Sequence, residues 1–334
     1  MKKILIFGAT GQIGAYTALE LKEAGYNVVA SGLRESDNGF FQDYNIPYYS
    51  VNISNKASFD KIKNKDFDVV VNVAGNAPSK VKGYNPELYI DMFVTGTLNI
   101  LHFCIEEKVQ KIVSTHTRAD SSYLMNSREL VEADIEKRFP LTGDHSIYTI
   151  CKNAAVDLME HFYTQHGLKR FIFRLPTIYD YHPDKFYFVN GKKRIMAYRY
   201  IIDQAIQGNE IEIWGDPSRA KEICYVKDLT QCIEKAIESN LEGGMYNFGR
   251  GVGVTIEEQI KGIVKVFSSK ENPSKIIYRP DKPDSRQFIH DISKTRNDLG
   301  YEPKYDYISL LNEFKKEMEL NRFKKLWGNI DDYE

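Results

Sequence analysis

Cysteine is scarce here: the 334 residues contain four, Cys104, Cys151, Cys224 and Cys232. They form no C-x-x-C pair and no tight Cys/His cluster. That argues against structural zinc and against a disulfide framework in a chain of this length. A reducing, cytoplasmic setting fits this usage. An excess of one charge is also missing, since 45 Lys and Arg balance 46 Asp and Glu for a formal net charge of −1. Nothing in that balance points to nucleic acid or an anionic membrane as a partner. No stretch is expected to reach the roughly 18 apolar residues that span a bilayer. The opening MKKILIFGATG starts like a signal peptide, but Ile4 to Phe7 is too short an apolar run and enters a glycine loop directly. Internal repeats and low-complexity tracts are not seen.

What is present reads as a globular chain. Short apolar strands alternate with helical patterns: Lys3–Gly8, then helix Ile13 to Ala24, Asn27–Ser31, the valine-rich Asp68–Gly75, helix Tyr89 to Lys108, Lys111–Thr115, helix Tyr148 to His166, and Arg170–Pro176. Such alternation predicts an α/β fold, a doubly wound parallel sheet with helices on both faces. After Pro176 the texture changes. Tyr179–Lys193 is aromatic and irregular, Glu271–Arg286 reads as loop, and an amphipathic helix is expected over Tyr307–Lys325. The predicted division is a dinucleotide-binding domain, 1–175, and a smaller substrate domain, 176–334, partly interleaved with the first.

Gly8-Ala9-Thr10-Gly11-Gln12-Ile13-Gly14 lies between a predicted strand and a predicted helix. Glycines there permit a tight turn and close approach to a pyrophosphate, and the helix N-terminus offers free amides to the anion. NAD or NADP is therefore the expected cofactor. An acid at the end of strand two would bond the adenosine ribose, whereas a cation would pair a 2′-phosphate. The stretch Ala30-Ser31-Gly32-Leu33-Arg34 has no acid in place and ends in arginine, which tilts the expectation to NADP, with Glu35 left as the alternative acid.

Tyr148 and Lys152 stand four apart, so both fall on one helix face. An ammonium beside a phenol favours phenolate and equips the tyrosine to exchange a proton as hydride moves. Ser114 and Thr115 end a strand at the sheet edge where ligands bind.

With these residues the sequence resembles the extended short-chain dehydrogenase/reductases, specifically the NAD-dependent epimerase/dehydratase family that acts on nucleotide sugars. Gly8, Gly11 and Gly14 match its fingerprint. Asn72–Gly75, with Ala74, resembles the strand end that runs along the cofactor. Gly96-Thr97-Leu98-Asn99 resembles its helix motif, with Phe93 where asparagine is common. The resemblance implies a Rossmann fold, a Thr115/Tyr148/Lys152 catalytic set, a nucleotide-sugar substrate and a homodimer, for which the amphipathic stretches Tyr89–Lys108 and Tyr148–His166 are candidates. It also implies that Lys221 and Arg286 bind the nucleotide phosphates. His116 and Thr117 stand where sugar dehydratases carry an Asp-Glu pair, which disfavours water loss. A 4-epimerase needs only the catalytic set. A keto-sugar epimerase-reductase resembling GDP-fucose synthase would use His116 and His182 as acid and base against the substrate. A cofactor-sensing protein without turnover is the third reading, favoured by Phe93.

Overall fold

A computed structural model describes residues 1–127, 129–189 and 191–334. Seven parallel strands form its centre: β1 Lys3–Phe7, β2 Asn27–Gly32, β3 Tyr48–Ser50, β4 Val69–Asn72, β5 Lys111–Thr117, β6 Lys169–Leu175 and β7 Gly243–Asn247. Their order across the sheet is β7-β6-β5-β4-β1-β2-β3. The central strand β1 shows why the sequence reads as unbroken apolar runs. Ile4 and Ile6 join the core on one face, and Leu5 and Phe7 join the core on the other. All four are fully buried, and each gains roughly 1.5–3 kcal/mol by leaving water. Helix α1 (Gln12–Glu23) covers the first face. Helices α2 (Gly96–Glu106) and α3 (Asp144–His166) cover the second.

Beyond β6 the chain builds a second lobe. The stretch read as irregular contains a hairpin, Phe186–Val189 with Lys192–Ile195. The stretch read as loop contains a strand, Ile276–Arg279, paired with Ile211–Trp214. Helix α4 (Val226–Glu238) then leads back to β7, which pairs with β6 from Gly243↔Arg170 to Asn247↔Arg174. The last long helix, α5 (Tyr307–Leu320), stops earlier than its amphipathic pattern predicts because Asn321 turns left-handed at φ 42°. The expectation about membrane spans also needs correcting. The helical run Pro86–Glu106, with mean hydropathy 1.4, is long and apolar enough to cross a bilayer by length and composition. In this fold its Ile100, Leu101, Phe103 and Cys104 are buried in the core against the sheet.

One buried ion cluster ties three strands together. Arg174 at the end of β6 is 2% exposed. Its guanidinium grips Asp120 at 2.8 Å and 3.1 Å, and reaches Asn247 of β7 and the Ala133 carbonyl at 2.9 Å. Burial pushes the Asp120 carboxyl up, but hydrogen bonds from His116 and Arg174 overrule it and hold the group at about 2. Removing the acid alone strands a buried cation. Asp120→Ala should therefore cost about 3–5 kcal/mol, read as a lowered urea midpoint. Arg174→Met in the same background should recover part of the loss.

Candidate functional site

The strand order reverses direction between β1 and β4, and in such sheets the crevice at the strand ends receives ligands. The glycine loop fills this position. Gly8 turns at φ +83°, and a Cβ there would lie 2.6 Å from the Ala74 Cα. A Cβ on Gly14 would lie 2.1 Å from the Gly8 carbonyl oxygen. Both glycines are thus required by the protein's own packing. Gly11 differs: its backbone is ordinary, φ −84°, and a Cβ would meet only the Gly8 oxygen at 3.3 Å. The first turn of α1, at Gln12 and Ile13, has neither a side-chain cap nor an acid. An open cradle against uncapped amides is the geometry that a dinucleotide pyrophosphate needs.

Tyr148 and Lys152 both lie on α3 and face a π-helical turn, Ile90–Thr95, that carries Phe93. The Tyr148 ring meets Phe93 edge-on at 5.4 Å, and the Lys152 ammonium sits 4.8 Å from the centre of the same ring. Lys152 also donates to the Thr115 carbonyl at 2.5 Å. Burial drives the lysine pKa down to about 8. Burial also pushes the Tyr148 phenol up to about 12, and the group that pulls it back is the Thr117 hydroxyl, not the ammonium. Strand β5 runs two residues further than its sequence pattern predicts, and Thr117 shares the face of Thr115.

Next along the chain is Arg118. Its guanidinium lies 5.9 Å from the centre of the Phe288 ring, and Phe288 bridges to Lys221. Burial and the nearby charge of Arg286 lower the Arg118 pKa, and burial with Arg118 lowers that of Lys221. His145, at the start of α3, is lowered by burial and feels both arginines. None of the three cations makes a salt bridge among the described residues. Glu222, the acid that acts on Arg118, is committed to His290 at 2.9 Å and to the amides of Arg250 and Gly251. Beside this cluster opens a cavity of about 810 Å³ lined by Tyr200, Trp214, Ile256, Pro283 and Ser285.

Residues 4–249 match the profile of the NAD dependent epimerase/dehydratase family. The chain belongs to that family. UDP-glucuronate 4-epimerase of Thermodesulfobacterium geofontis is 24% identical over 78% of this chain and 75% of its own length. A UDP-glucose 4-epimerase of Thermotoga maritima, solved with UDP-glucose, is similar in fold with a TM-score of 0.73 at 23% identity, covering 95% of this chain and 99% of that one. A UDP-glucose 4-epimerase of Thermus thermophilus in complex with NAD gives 0.69 at 20% identity, covering 94% and 99%.

For a member of the NAD dependent epimerase/dehydratase family, several sequence expectations change. His116 does not face a substrate. It is 2% exposed, on the opposite face of β5 from Thr117, with Nε2 3.0 Å from Asp120. His182 is also committed. Its Nδ1 accepts the Asp184 amide at 2.9 Å, and its ring packs on Trp327 at 4.4 Å. Burial, first, and the charge of Lys80 drive its pKa down to about 3. Arg34 bonds the Leu326 carbonyl at 2.6 Å, and the tilt to NADP read from it finds no support in an NAD dependent family. Sequence reasoning passed over Arg118 and noted Thr117 only as a departure from the dehydratase pair. The two-residue period from Thr115 was the available signal for Thr117.

The glycines give a test that separates packing from binding. Gly14→Ala should destabilise the fold by about 2–4 kcal/mol, read as a lower melting temperature. Gly11→Ala should melt near the parent temperature yet lose dinucleotide binding in a titration.

Proposed function

We propose that this chain is an NAD-dependent epimerase of a nucleotide-activated sugar. The observation that carries the reading is the convergence of Arg118, Lys221 and Arg286, all without a salt bridge among the described residues, near the helix that bears Tyr148. Unpaired cations held partly out of water are costly unless an anion completes them. A sugar nucleotide's diphosphate would do so, with arginine offering bidentate contacts. The neighbouring cavity, with half-exposed Trp214 and Tyr200, suits a nucleobase.

Within that site each residue has a role. Gly11, Gln12 and Ile13 would hold the pyrophosphate, and Ala74 the nearby wall. Bound NAD would supply the hydride acceptor and a positive charge near the phenol. The phenolate of Tyr148, which that charge would favour, takes the proton of a ring hydroxyl during oxidation and returns it during reduction. The Thr117 hydroxyl orients that oxygen and stabilises charge on it, a role the sequence assigned to Thr115. Lys152 holds its ammonium against the Thr115 carbonyl. The epimerase-reductase reading loses its acid and base, because His116 and His182 are both committed elsewhere. A non-catalytic, cofactor-sensing reading keeps one observation in its favour: Phe93 packs edge-on against the Tyr148 ring and lies against the Lys152 ammonium.

Incubating the protein with UDP-sugars and following the ring-proton NMR signals separates these readings. The expected result is a C4 epimer with no net consumption of cofactor. Tyr148→Phe should lower turnover about 10²–10⁴-fold while circular dichroism stays unchanged. Near-normal turnover in that folded variant would defeat the mechanism. Thr117→Val should cost at least about tenfold and Thr115→Val much less. Arg118→Ala should weaken sugar-nucleotide binding by about tenfold in a calorimetric titration. If no sugar is turned over yet NAD still binds, the sensing reading takes its place.

A further inference from the structure

Past α5 the chain folds back over the glycine loop and the end of β2. Trp327 anchors this segment. It is 4% exposed, stacks on Phe323 at 4.3 Å, and donates its Nε1–H to the Thr10 carbonyl at 2.9 Å. Thr10 belongs to the glycine loop. Lys325 pins the segment from the other side, bonding Asp43 at 2.8 Å and the Gly39 carbonyl at 3.1 Å. Tyr333 donates its hydroxyl to the Trp327 carbonyl at 2.6 Å. Glu334 pairs with Lys185 at 3.1 Å.

Arg34 is drawn into the same assembly. Its guanidinium donates to the Leu326 carbonyl at 2.6 Å, and the Tyr333 phenol lies against that guanidinium. From the opposite side the Tyr48 hydroxyl bonds the Arg34 carbonyl at 2.5 Å. The segment also brings Asp331 and Asp332, both exposed, into this neighbourhood. At Gly32, where an acid would read the ribose, a Cβ would lie 2.6 Å from the Thr10 hydroxyl oxygen. An acid there would have to displace the Thr10 side chain.

Resting on the NAD reading above, we propose that Phe323–Glu334 is a strap that takes Arg34 out of reach of an adenosine 2′-phosphate and so makes the site select NAD over NADP. Arg34 is the one cation that the end of β2 offers to such a phosphate. To use it, NADP must first break the bond to Leu326 and then bring its added charge towards Asp331 and Asp332. A 2′-hydroxyl faces neither obstacle. Selection then works by exclusion, not by an acid that rewards the hydroxyls.

The test is calorimetric titration of the full chain with NAD and with NADP. The unaltered protein should favour NAD by about tenfold or more. Trp327→Phe with Tyr333→Phe keeps the stacked rings but removes the hydroxyl clasp and the bond to Thr10. That variant should bind NADP several-fold more tightly and NAD about as before. Adding Arg34→Ala should abolish the gain. Arg34→Ala in the otherwise intact chain should leave the NAD to NADP ratio unchanged. If that single change weakens NADP alone, Arg34 already reads the phosphate and the strap proposal is overturned. If the strap variant shifts both affinities equally, the segment only covers the site and the proposal is overturned as well. Binding of neither dinucleotide would overturn the cofactor reading along with it.

Discussion

A guanidinium buried in a protein interior must be surrounded by acceptors, and in this molecule the arrangement of the site follows from meeting that demand for Arg174. The residue sits at the end of β6 and collects Asp120, Asn247 and the Ala133 carbonyl. Asp120 can reach it only if the chain leaving β5 turns inward at once. That turn fixes the strand's last residues. His116 is drawn down to Asp120 on one face, and Thr117 is left on the other beside Tyr148. Arg118 then begins the tight turn that follows, next to Phe288. A single buried charge thereby decides which of three consecutive residues is structural and which are free for chemistry.

The two halves of the cleft are built on different physical principles. The dinucleotide half is made by the absence of side chains. Gly8 and Gly14 let three backbone segments touch, and Gly11 keeps a side chain away from the uncapped amides. The other half is made by unresolved charge, with cations raised in energy by burial and by one another. Tyr148 stands between these regimes on α3. Burial outweighs the nearby Thr117 hydroxyl and holds the Tyr148 phenol above its ordinary value. The arrangement is poised to change when opposite charge enters from either side.

The parallel sheet was legible because its central strands are buried on both faces and run apolar, as Ile4 to Phe7 do, whereas the half-buried edge strand β3 was not read. The glycine loop was legible because its spacing is a local property. Tyr148 and Lys152 were legible for the same reason, being one helical turn apart. The histidines misled because burial is not local. Nothing in the residues around His116 announces an arginine in the next strand, and nothing near His182 announces a tryptophan far along the chain. Arg34 misled in the same way, since its acceptor is the Leu326 carbonyl. The paired strands Phe186–Val189 and Lys192–Ile195 and the strand at Ile276–Arg279 were hidden because they lie at the surface, where the apolar alternation is weak.

The return of β7 to the edge of the sheet has a consequence for how the molecule comes into being. β6 and β7 are neighbours in space, yet residues 176–225 and α4 lie between them in the chain. The lobe built on the seven-stranded sheet therefore cannot complete that sheet until much of the second lobe has been made. Contacts of such long sequence separation form late and slowly. During synthesis β6 waits with an open edge, a surface prone to the wrong partner. The asparagine that completes the Arg174 shell arrives on that same last strand. The buried charge at the centre of the site is thus fully satisfied only when the fold is topologically complete, so assembly of the sheet and maturation of the cleft are one event.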